Sequence, residues 1–209
     1  MFIKICGLFR DEDIDFINEA RPKYAGFVFS KSPRQVSTAL AQYLRFRIAD
    51  GIIPVGVFVN APIAMITELY HNGIISIAQL HGNEDESYIT QLKRLSVTKV
   101  RQTRIPEIKV IKTLIPSMPE WKKQIPASAD YILLDSGAGS GKAFNWESLK
   151  SVKFAKPWFL AGGINIKNIK QAMELNPFAV DVSSGAETDG IKDHKKILDL
   201  AAAVKGKNK

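Results

Sequence analysis

Eight short segments that can form strands recur along this chain at nearly even spacing, and most are followed by a helical pattern of apolar residues. The segments begin near residues 2, 24, 52, 74, 98, 131, 158 and 178, so the mean interval is about 25 residues. Near-continuous apolar strands that alternate with amphipathic helices are typical of a parallel sheet covered by helices. Eight such units in 209 residues predict a fold of the α/β class, a closed (β/α)8 TIM barrel that spans residues 1–209 as one domain.

An open, doubly wound sheet is the alternative fold. Such a sheet usually carries a glycine-rich fingerprint after its first strand, and the sequence Cys6-Gly7-Leu8-Phe9 does not match that fingerprint. The fifth segment is the weakest of the eight, because residues 98–103 (TKVRQT) are polar for a strand. Several prolines lie between residues 106 and 126, so we expect at most one or two short helices after it.

Composition limits the classes of protein that this chain can belong to. Hydrophobic residues make up 45% of the chain and charged residues 24%, as in ordinary globular proteins. No apolar run is long enough for a membrane span and no secretory leader is visible, so we expect a cytoplasmic protein without a membrane partner. The single cysteine, Cys6, cannot form an internal disulfide, which fits a reducing compartment. The net charge is +8, but the basic residues are scattered among acidic ones, so we expect no nucleic-acid partner.

The first strand places a lysine and the cysteine on one face. Period-two alternation puts Lys4 and Cys6 on one side and Ile3 and Ile5 on the other. In the last strand, Asp181 lies between two valines and is expected to face inward as well. Because the first and last strands of a closed barrel are neighbours, the pattern predicts an ion pair between Lys4 and Asp181 inside the barrel.

Reactive side chains in such a barrel come from the C-terminal ends of its strands. Asp135 follows the strand at residues 131–134 with the same parity as Tyr131 and Leu133, which places it at the barrel mouth. A carboxyl group at an apolar site has a raised pKa and can act as an acid. Cys6 reaches the same mouth, and a lone cysteine beside Lys4 is either a small buried hydrophobe or a functional thiol.

Two glycine-containing clusters resemble an anion cradle. Gly162 and Gly163 follow the seventh strand, and Ser183, Ser184 and Gly185 follow the eighth, where barrel enzymes commonly bind phosphate. The alternative is that each cluster is only a tight turn.

Two other polar residues at strand ends can contribute to the site. Arg34 can offer a planar fork to a carboxylate or phosphate, or it can be a solvated loop residue. His81 is expected in the wall of the site and not as a metal ligand, because no second ligand lies at suitable spacing. Residues 139–142 (GSGK) lack the spacing of a P-loop and are interpreted as a mobile lid.

Seven motifs, taken in chain order, resemble the phosphoribosylanthranilate isomerase family of tryptophan biosynthesis. They run from the first strand to the segment before the last helix: KICG (4–7), GFVF with SPR (26–34), VGVF (55–58), QLHG (79–82), LLD (133–135), LAGGI (160–164) and DVSSG with Glu187 (181–187). Each motif alone is weak, whereas the ordered set is specific. The sequence departs from the family at Phe9, where threonine is usual, and in the lid at residues 138–146.

The resemblance implies a (β/α)8 barrel that converts N-(5-phosphoribosyl)anthranilate to 1-(o-carboxyphenylamino)-1-deoxyribulose 5-phosphate by an Amadori rearrangement. It implies no metal and no cofactor, a phosphoribosyl small molecule as substrate, and a monomer or a homodimer. Cys6 would be the general base, Asp135 the general acid, and Arg34 would hold the anthranilate carboxylate or steer the substrate. The remaining substrate-binding residues would be His81, Gly162, Gly163, Asp181, Ser183, Ser184 and Gly185.

Two alternatives stay open from the sequence alone. One is another phosphate-binding barrel that acts on a phosphorylated sugar, and turnover of phosphoribosylanthranilate distinguishes it. The other is a basic nucleic-acid-binding or scaffolding protein, which salt-sensitive retention of DNA or RNA without isomerase activity would favour.

Overall fold

Eight parallel strands form the centre of the molecule and close into a barrel. The structure is a computed structural model that describes residues 1–100, 103–118, 120–135 and 146–206. The barrel strands are β1 (Phe2–Cys6), β2 (Tyr24–Val28), β3 (Ile53–Phe58), β4 (Ile77–Leu80), β5 (Lys109–Leu114), β6 (Tyr131–Leu134), β7 (Trp158–Leu160) and β8 (Ala179–Val182). Each strand pairs with the next in chain order, and β1 pairs with both β2 and β8, which confirms the closed (β/α)8 prediction.

Six α-helices and three 3-10 turns cover the barrel in the described part of the chain. The helices are α1 (Asp11–Ala20), α2 (Thr38–Arg47), α3 (Ile63–His71), α4 (Glu86–Ser96), α5 (Ile169–Glu174) and α6 (His194–Gly206). Single 3-10 turns follow β5 (Trp121–Gln124), β6 (Trp146–Leu149) and β8 (Ser184–Ala186). None of the described helices combines the length and the apolar character needed to cross a membrane.

The alternation along each strand divides the apolar residues into two clusters. The smaller cluster fills the barrel and contains Tyr24, Val55, Ile77, Ile111, Leu133, Phe159, Ala161 and Ala179. The larger cluster lies between the sheet and the helices and includes Ile3, Ile5, Val180 and Val182. Ile3 and Ile5 therefore face the helices while Lys4 and Cys6 face the interior, as the alternation predicts.

The fifth strand is not where the sequence pattern placed it. Two short strands, Thr98–Val100 and Thr103–Ile105, pair with each other antiparallel outside the barrel, and the barrel strand is the later segment Lys109–Leu114. The apolar side chains of that strand alternate between the two faces of the sheet. Val110 and Leu114 pack against the helices, and Ile111 packs inside the barrel. Lys109 and Lys112 interrupt the apolar run of this strand, so the sequence pattern did not predict it.

Two predicted helix boundaries were also wrong. The apolar pattern predicts a last helix from about Asp189 to Val204, but this helix begins at His194, because residues 187–192 form a two-stranded antiparallel ribbon. The pattern also predicts a helix from about Trp146, where the structure has only the 3-10 turn Trp146–Leu149. The predicted lid at residues 138–146 lies outside the described residues except for Trp146.

Candidate active site

Polar side chains collect on the inner face of the barrel near the C-terminal ends of its strands. Those that follow the inward parity of their strands are Lys4, Cys6, Gln79, His81, Thr113, Asp135 and Asp181. Side chains two residues apart on a strand share a face, so the inward-facing side chains form layers inside the barrel. Apolar side chains fill the layers nearer the N-terminal ends of the strands, and polar ones form the layer at the C-terminal ends. The strand pattern therefore brings Cys6 and Asp135 to the same mouth of the barrel.

Lys4 and Asp181 form the predicted interior ion pair. They are register partners on β1 and β8, and Lys4 Nζ lies 2.9 Å from each carboxylate oxygen of Asp181. The lysine side chain is fully buried. Burial alone would lower the pKa of Lys4, but the Asp181 carboxylate and, to a smaller extent, Cys6 act against burial, so the pKa of Lys4 is raised. Lys4 is therefore an ammonium group inside the protein.

Cys6 is buried at the end of β1 between Lys4 and the neighbouring strand. A Cβ atom at Gly26 would lie 2.7 Å from the Cys6 sulfur, so the glycine leaves the space that the thiol occupies. Burial raises the pKa of the Cys6 thiol, although the ammonium groups of Lys4 and Lys192 act in the opposite direction. Burial therefore favours the thiol form of Cys6 over the thiolate.

Asp135 contacts His81 across the mouth. The Oδ2 atom of Asp135 lies 3.4 Å from His81 Nε2, and Nδ1 of the same ring lies 3.4 Å from Nε2 of Gln79. His81 also lines a cavity of about 640 Å³ at the C-terminal ends of β4 and β5. His81 therefore lies in the wall of the barrel mouth.

A buried ion pair supports the loop that follows His81. Glu84 accepts hydrogen bonds from the backbone N–H groups of Asn60 (2.6 Å) and Gly82 (2.9 Å). Lys112 Nζ donates to Glu84 at 3.0 Å and to the Gly82 carbonyl at 2.6 Å. Sequence reasoning missed Glu84 and Lys112, because they lie on different units of the chain.

The loops after β7 and β8 are held close together. Gly162 and Gly163 have φ angles of 90° and 70°, a conformation that glycine adopts without strain. A Cβ atom at Gly185 would lie only 1.8 Å from the Ile164 carbonyl oxygen, so a side chain at this position would push the two loops apart. Ser184 begins the short turn Ser184–Ala186, and the Ser183 hydroxyl donates to the Cys6 carbonyl at 3.2 Å.

Arg34 is paired with a carboxylate inside the protein. Its Nε and Nη2 atoms each lie 2.6 Å from an oxygen of Glu187, so two edges of the guanidinium fork are engaged. Arg34 is therefore not the solvated loop residue of the alternative interpretation. Glu187 also contacts Lys192, whose side chain is fully buried.

Lys192 was missed by the sequence reasoning, and Glu187 appeared there only as part of a motif. A usable signal was present, because Asp189-Gly190 is a dipeptide typical of tight hairpins. That turn pairs Glu187 with Lys192 across the ribbon.

The fold and the groups at its mouth define the class of this protein, a (β/α)8-barrel enzyme equipped for acid–base chemistry. A family model described as N-(5'-phosphoribosyl)anthranilate (PRA) isomerase matches residues 3–203. The chain belongs to this isomerase family.

Individual relatives agree with the family model. The N-(5'-phosphoribosyl)anthranilate isomerase of Endomicrobium trichonymphae is 42% identical over 97% of this chain and 98% of its own length. The enzyme of the same name from Clostridium acetobutylicum is 43% identical over 97% of both chains.

Solved structures extend the similarity to the fold. The phosphoribosyl anthranilate isomerase of Thermus thermophilus has a TM-score of 0.80 at 28% identity, with 99% of both chains covered. Another phosphoribosyl anthranilate isomerase, solved in complex with reduced 1-(o-carboxyphenylamino)-1-deoxyribulose 5-phosphate, has a TM-score of 0.77 at 28% identity over 99% of both chains. A structure of monomers generated from the dimeric phosphoribosylanthranilate isomerase of Thermotoga maritima has a TM-score of 0.78 at 30% identity over 99% of both chains.

Proposed function

We propose that this protein isomerises N-(5'-phosphoribosyl)anthranilate to 1-(o-carboxyphenylamino)-1-deoxyribulose 5-phosphate, with Asp135 as general acid and Cys6 as general base. The observation that carries the proposal is that both groups have inward parity on β6 and β1, at one mouth of one barrel. Family membership supplies the substrate and the reaction.

The reaction needs one acid and one base acting in turn. Asp135 donates a proton to the ribose ring oxygen while the bond from that oxygen to C1′ breaks and the anilino nitrogen forms a C=N bond to C1′. The thiolate of Cys6 then takes the proton from C2′, which gives an enolamine. Transfer of a proton to C1′ and loss of one from the C2′ hydroxyl complete the ketone.

Burial of Cys6 opposes its ionisation, so its role as the base needs nearby groups that favour the thiolate. Burial keeps its pKa raised, so the thiol must lose its proton before it can act. Lys4, fixed by Asp181, is an ammonium beside it that favours the thiolate. Asp181 then acts through Lys4, and His81 acts by orienting the Asp135 carboxyl group.

The phosphate of the substrate would be held by the loops after β7 and β8. Backbone N–H groups of Gly162, Gly163, Ser184 and Gly185 are the donors that we assign to it, since glycine lets the backbone approach an anion closely. Ser183 fixes the second loop to β1 through the Cys6 carbonyl.

Arg34 would contact the anthranilate carboxylate with the part of its fork that Glu187 does not hold. Nε and Nη2 are paired with Glu187, so Nη1 is the nitrogen that we assign to the substrate. We further propose a cytoplasmic enzyme, a monomer or a homodimer like the Thermotoga maritima relative, that needs no nucleic-acid partner.

The test is turnover by the purified protein. We expect loss of the fluorescence of phosphoribosylanthranilate and rescue of a tryptophan auxotroph that lacks this step. If the folded protein fails both assays but acts on another phosphorylated sugar, the proposal is wrong. The alternative, a phosphate-binding barrel enzyme with a different substrate, would then be favoured.

A further inference from the structure

A group of three charges, two of them buried, lies beside Cys6, and we call it the Glu187 triad (Arg34, Glu187 and Lys192). The Glu187 carboxylate accepts two hydrogen bonds from Arg34, at 2.6 Å each, and one from Lys192 Nζ. The side chain of Lys192 is fully buried and that of Glu187 is 4% exposed. Charges that are this well buried must be compensated or used.

Three separate strand ends meet in the triad. Arg34 comes from the segment after β2, and a Cβ atom at Gly7, just after β1, would lie 2.4 Å from its Cδ atom. Glu187 and Lys192 come from the ribbon after β8, where they are register partners. Lys192 Nζ also donates to the Ser183 carbonyl at 3.3 Å, while the Ser183 hydroxyl bonds the Cys6 carbonyl. The triad is therefore linked to the backbone of Cys6 itself.

The charges of the triad do not cancel. Lys4 of β1, Asp181 of β8, Arg34 and Lys192 all act electrostatically on Cys6, and Asp135 and His81 of the same mouth act on Asp181. Lys4 and Asp181 neutralise each other, and Glu187 neutralises only one of its two cations. One positive charge is left over on the triad side of the thiol.

We infer that Glu187 and Lys192 are positioning residues for the isomerisation: Glu187 fixes the Arg34 fork, and Lys192 supplies the uncompensated positive charge that favours the thiolate of Cys6. The inference rests on the proposed role of Cys6 as the base.

The electrostatics of the individual groups support this assignment. Burial lowers the pKa of Lys192, and Glu187 acts against that effect and so helps to keep the ammonium charged. Burial raises the pKa of Cys6, whereas Lys192 is one of the cations that lower it. Removing Lys192 should therefore make the thiol still harder to ionise.

The test is a titration of Cys6, which is the only cysteine of the chain. Thiolate absorbance in the ultraviolet is followed against pH for the full-length protein, with the spectrum of Cys6→Ser subtracted to remove tyrosine ionisation. We expect Lys192→Met to raise the midpoint by about one pH unit, as for loss of one nearby charge. Lys195→Met removes a lysine charge from an exposed pair with Asp199 and should leave the midpoint unchanged.

A double variant separates charge from structure. Glu187→Gln combined with Lys192→Met removes one charge of each sign and leaves Arg34 as the single cation, so the midpoint should return toward the wild-type value. Because this variant also lacks the Glu187 carboxylate that holds the Arg34 guanidinium, kcat/KM should stay low. A midpoint unmoved by Lys192→Met, or one that rises further in the double variant, would overturn the inference. Failure of the proposed function would appear separately, as a Cys6→Ser protein that keeps its isomerase activity.

Discussion

Lys4 Nζ lies 2.9 Å from both carboxylate oxygens of Asp181, across the seam where the first and last strands of the barrel pair. The lysine is fully buried, so water compensates none of its charge. Asp181 makes it possible for an ammonium group to reside in the barrel, and that ammonium lies next to the thiol of Cys6. One ion pair therefore joins barrel closure to the candidate active site.

Breaking this pair from one side should be costly. We expect Asp181→Asn to lower the free energy of unfolding by about 3–5 kcal/mol, because it leaves the buried Lys4 charge without a partner. Urea-induced unfolding measures the loss. The double variant Lys4→Met with Asp181→Leu should be less destabilised than Asp181→Asn, since it leaves no buried charge. Equal losses in the two variants would show that packing, not charge, dominates at this site.

This ion pair illustrates what the sequence could predict. Alternation fixed the inward faces of the first and last strands, and closure of the barrel made those strands neighbours. Neither step needs the loops, so the prediction depends only on strand parity and topology. The positions of Cys6 and Asp135 at the barrel mouth follow from the same two rules.

Contacts formed by loops could not be predicted in this way. Glu187 pairs with Lys192 only because the Asp189-Gly190 turn reverses the chain, and with Arg34 only because that residue packs over Gly7. The fifth barrel strand was misplaced because Lys109 and Lys112 interrupt its apolar pattern. Those lysines are explained by their partners Asp130 and Glu84, which lie in other units of the chain.

Replacing the acid or the base should reduce the chemical step and spare the fold. We expect Cys6→Ser and Asp135→Asn each to lower kcat about 100-fold or more, the usual effect of losing a general acid or base. Steady-state kinetics on phosphoribosylanthranilate and circular dichroism check the two parts of this prediction. Lys195→Met serves as a control, because that lysine lies on the exposed face of α6. Near-normal turnover in either active-site variant would remove that residue from its role.

The close approach of the β7 and β8 loops should control phosphate binding. In Gly185→Ala the new Cβ atom would lie 1.8 Å from the Ile164 carbonyl oxygen, so the two loops must separate. We expect KM to rise about tenfold or more, since donors displaced by a fraction of an ångström no longer converge on one phosphate. Inhibition by inorganic phosphate should weaken in parallel. Gly206→Ala meets no atom within 4 Å and is the matched control. A folded Gly185→Ala protein with unchanged KM would argue against a phosphate site between these loops.

Asp130 should make stability depend on pH on the acid side. Its carboxylate binds Lys109 Nζ at 2.8 Å, Lys93 Nζ at 2.9 Å and the Val110 N–H at 2.9 Å, which ties α4 and β5 to the start of β6. Burial opposes ionisation, but the two lysines and the N–H outweigh it and lower the pKa of Asp130 below its ordinary value. The folded protein therefore keeps the carboxylate ionised at pH values where the unfolded chain has already bound a proton.

The sign of the effect follows from this difference. The stabilisation is complete above the unfolded-state pKa of about 3.8 and is lost as the pH falls through the lower folded-state value. We expect Asp130→Asn to lower the free energy of unfolding by about 1–3 kcal/mol at neutral pH, and the difference from the wild type to shrink below about pH 4. Denaturant unfolding at several pH values measures it. Asp199→Asn, which removes the acidic partner of an exposed surface pair, should cost much less than Asp130→Asn. The difference in unfolding free energy between Asp130→Asn and the wild type could instead stay constant down to pH values well below the ordinary pKa. That result would show that Asp130 stabilises the fold without its charge.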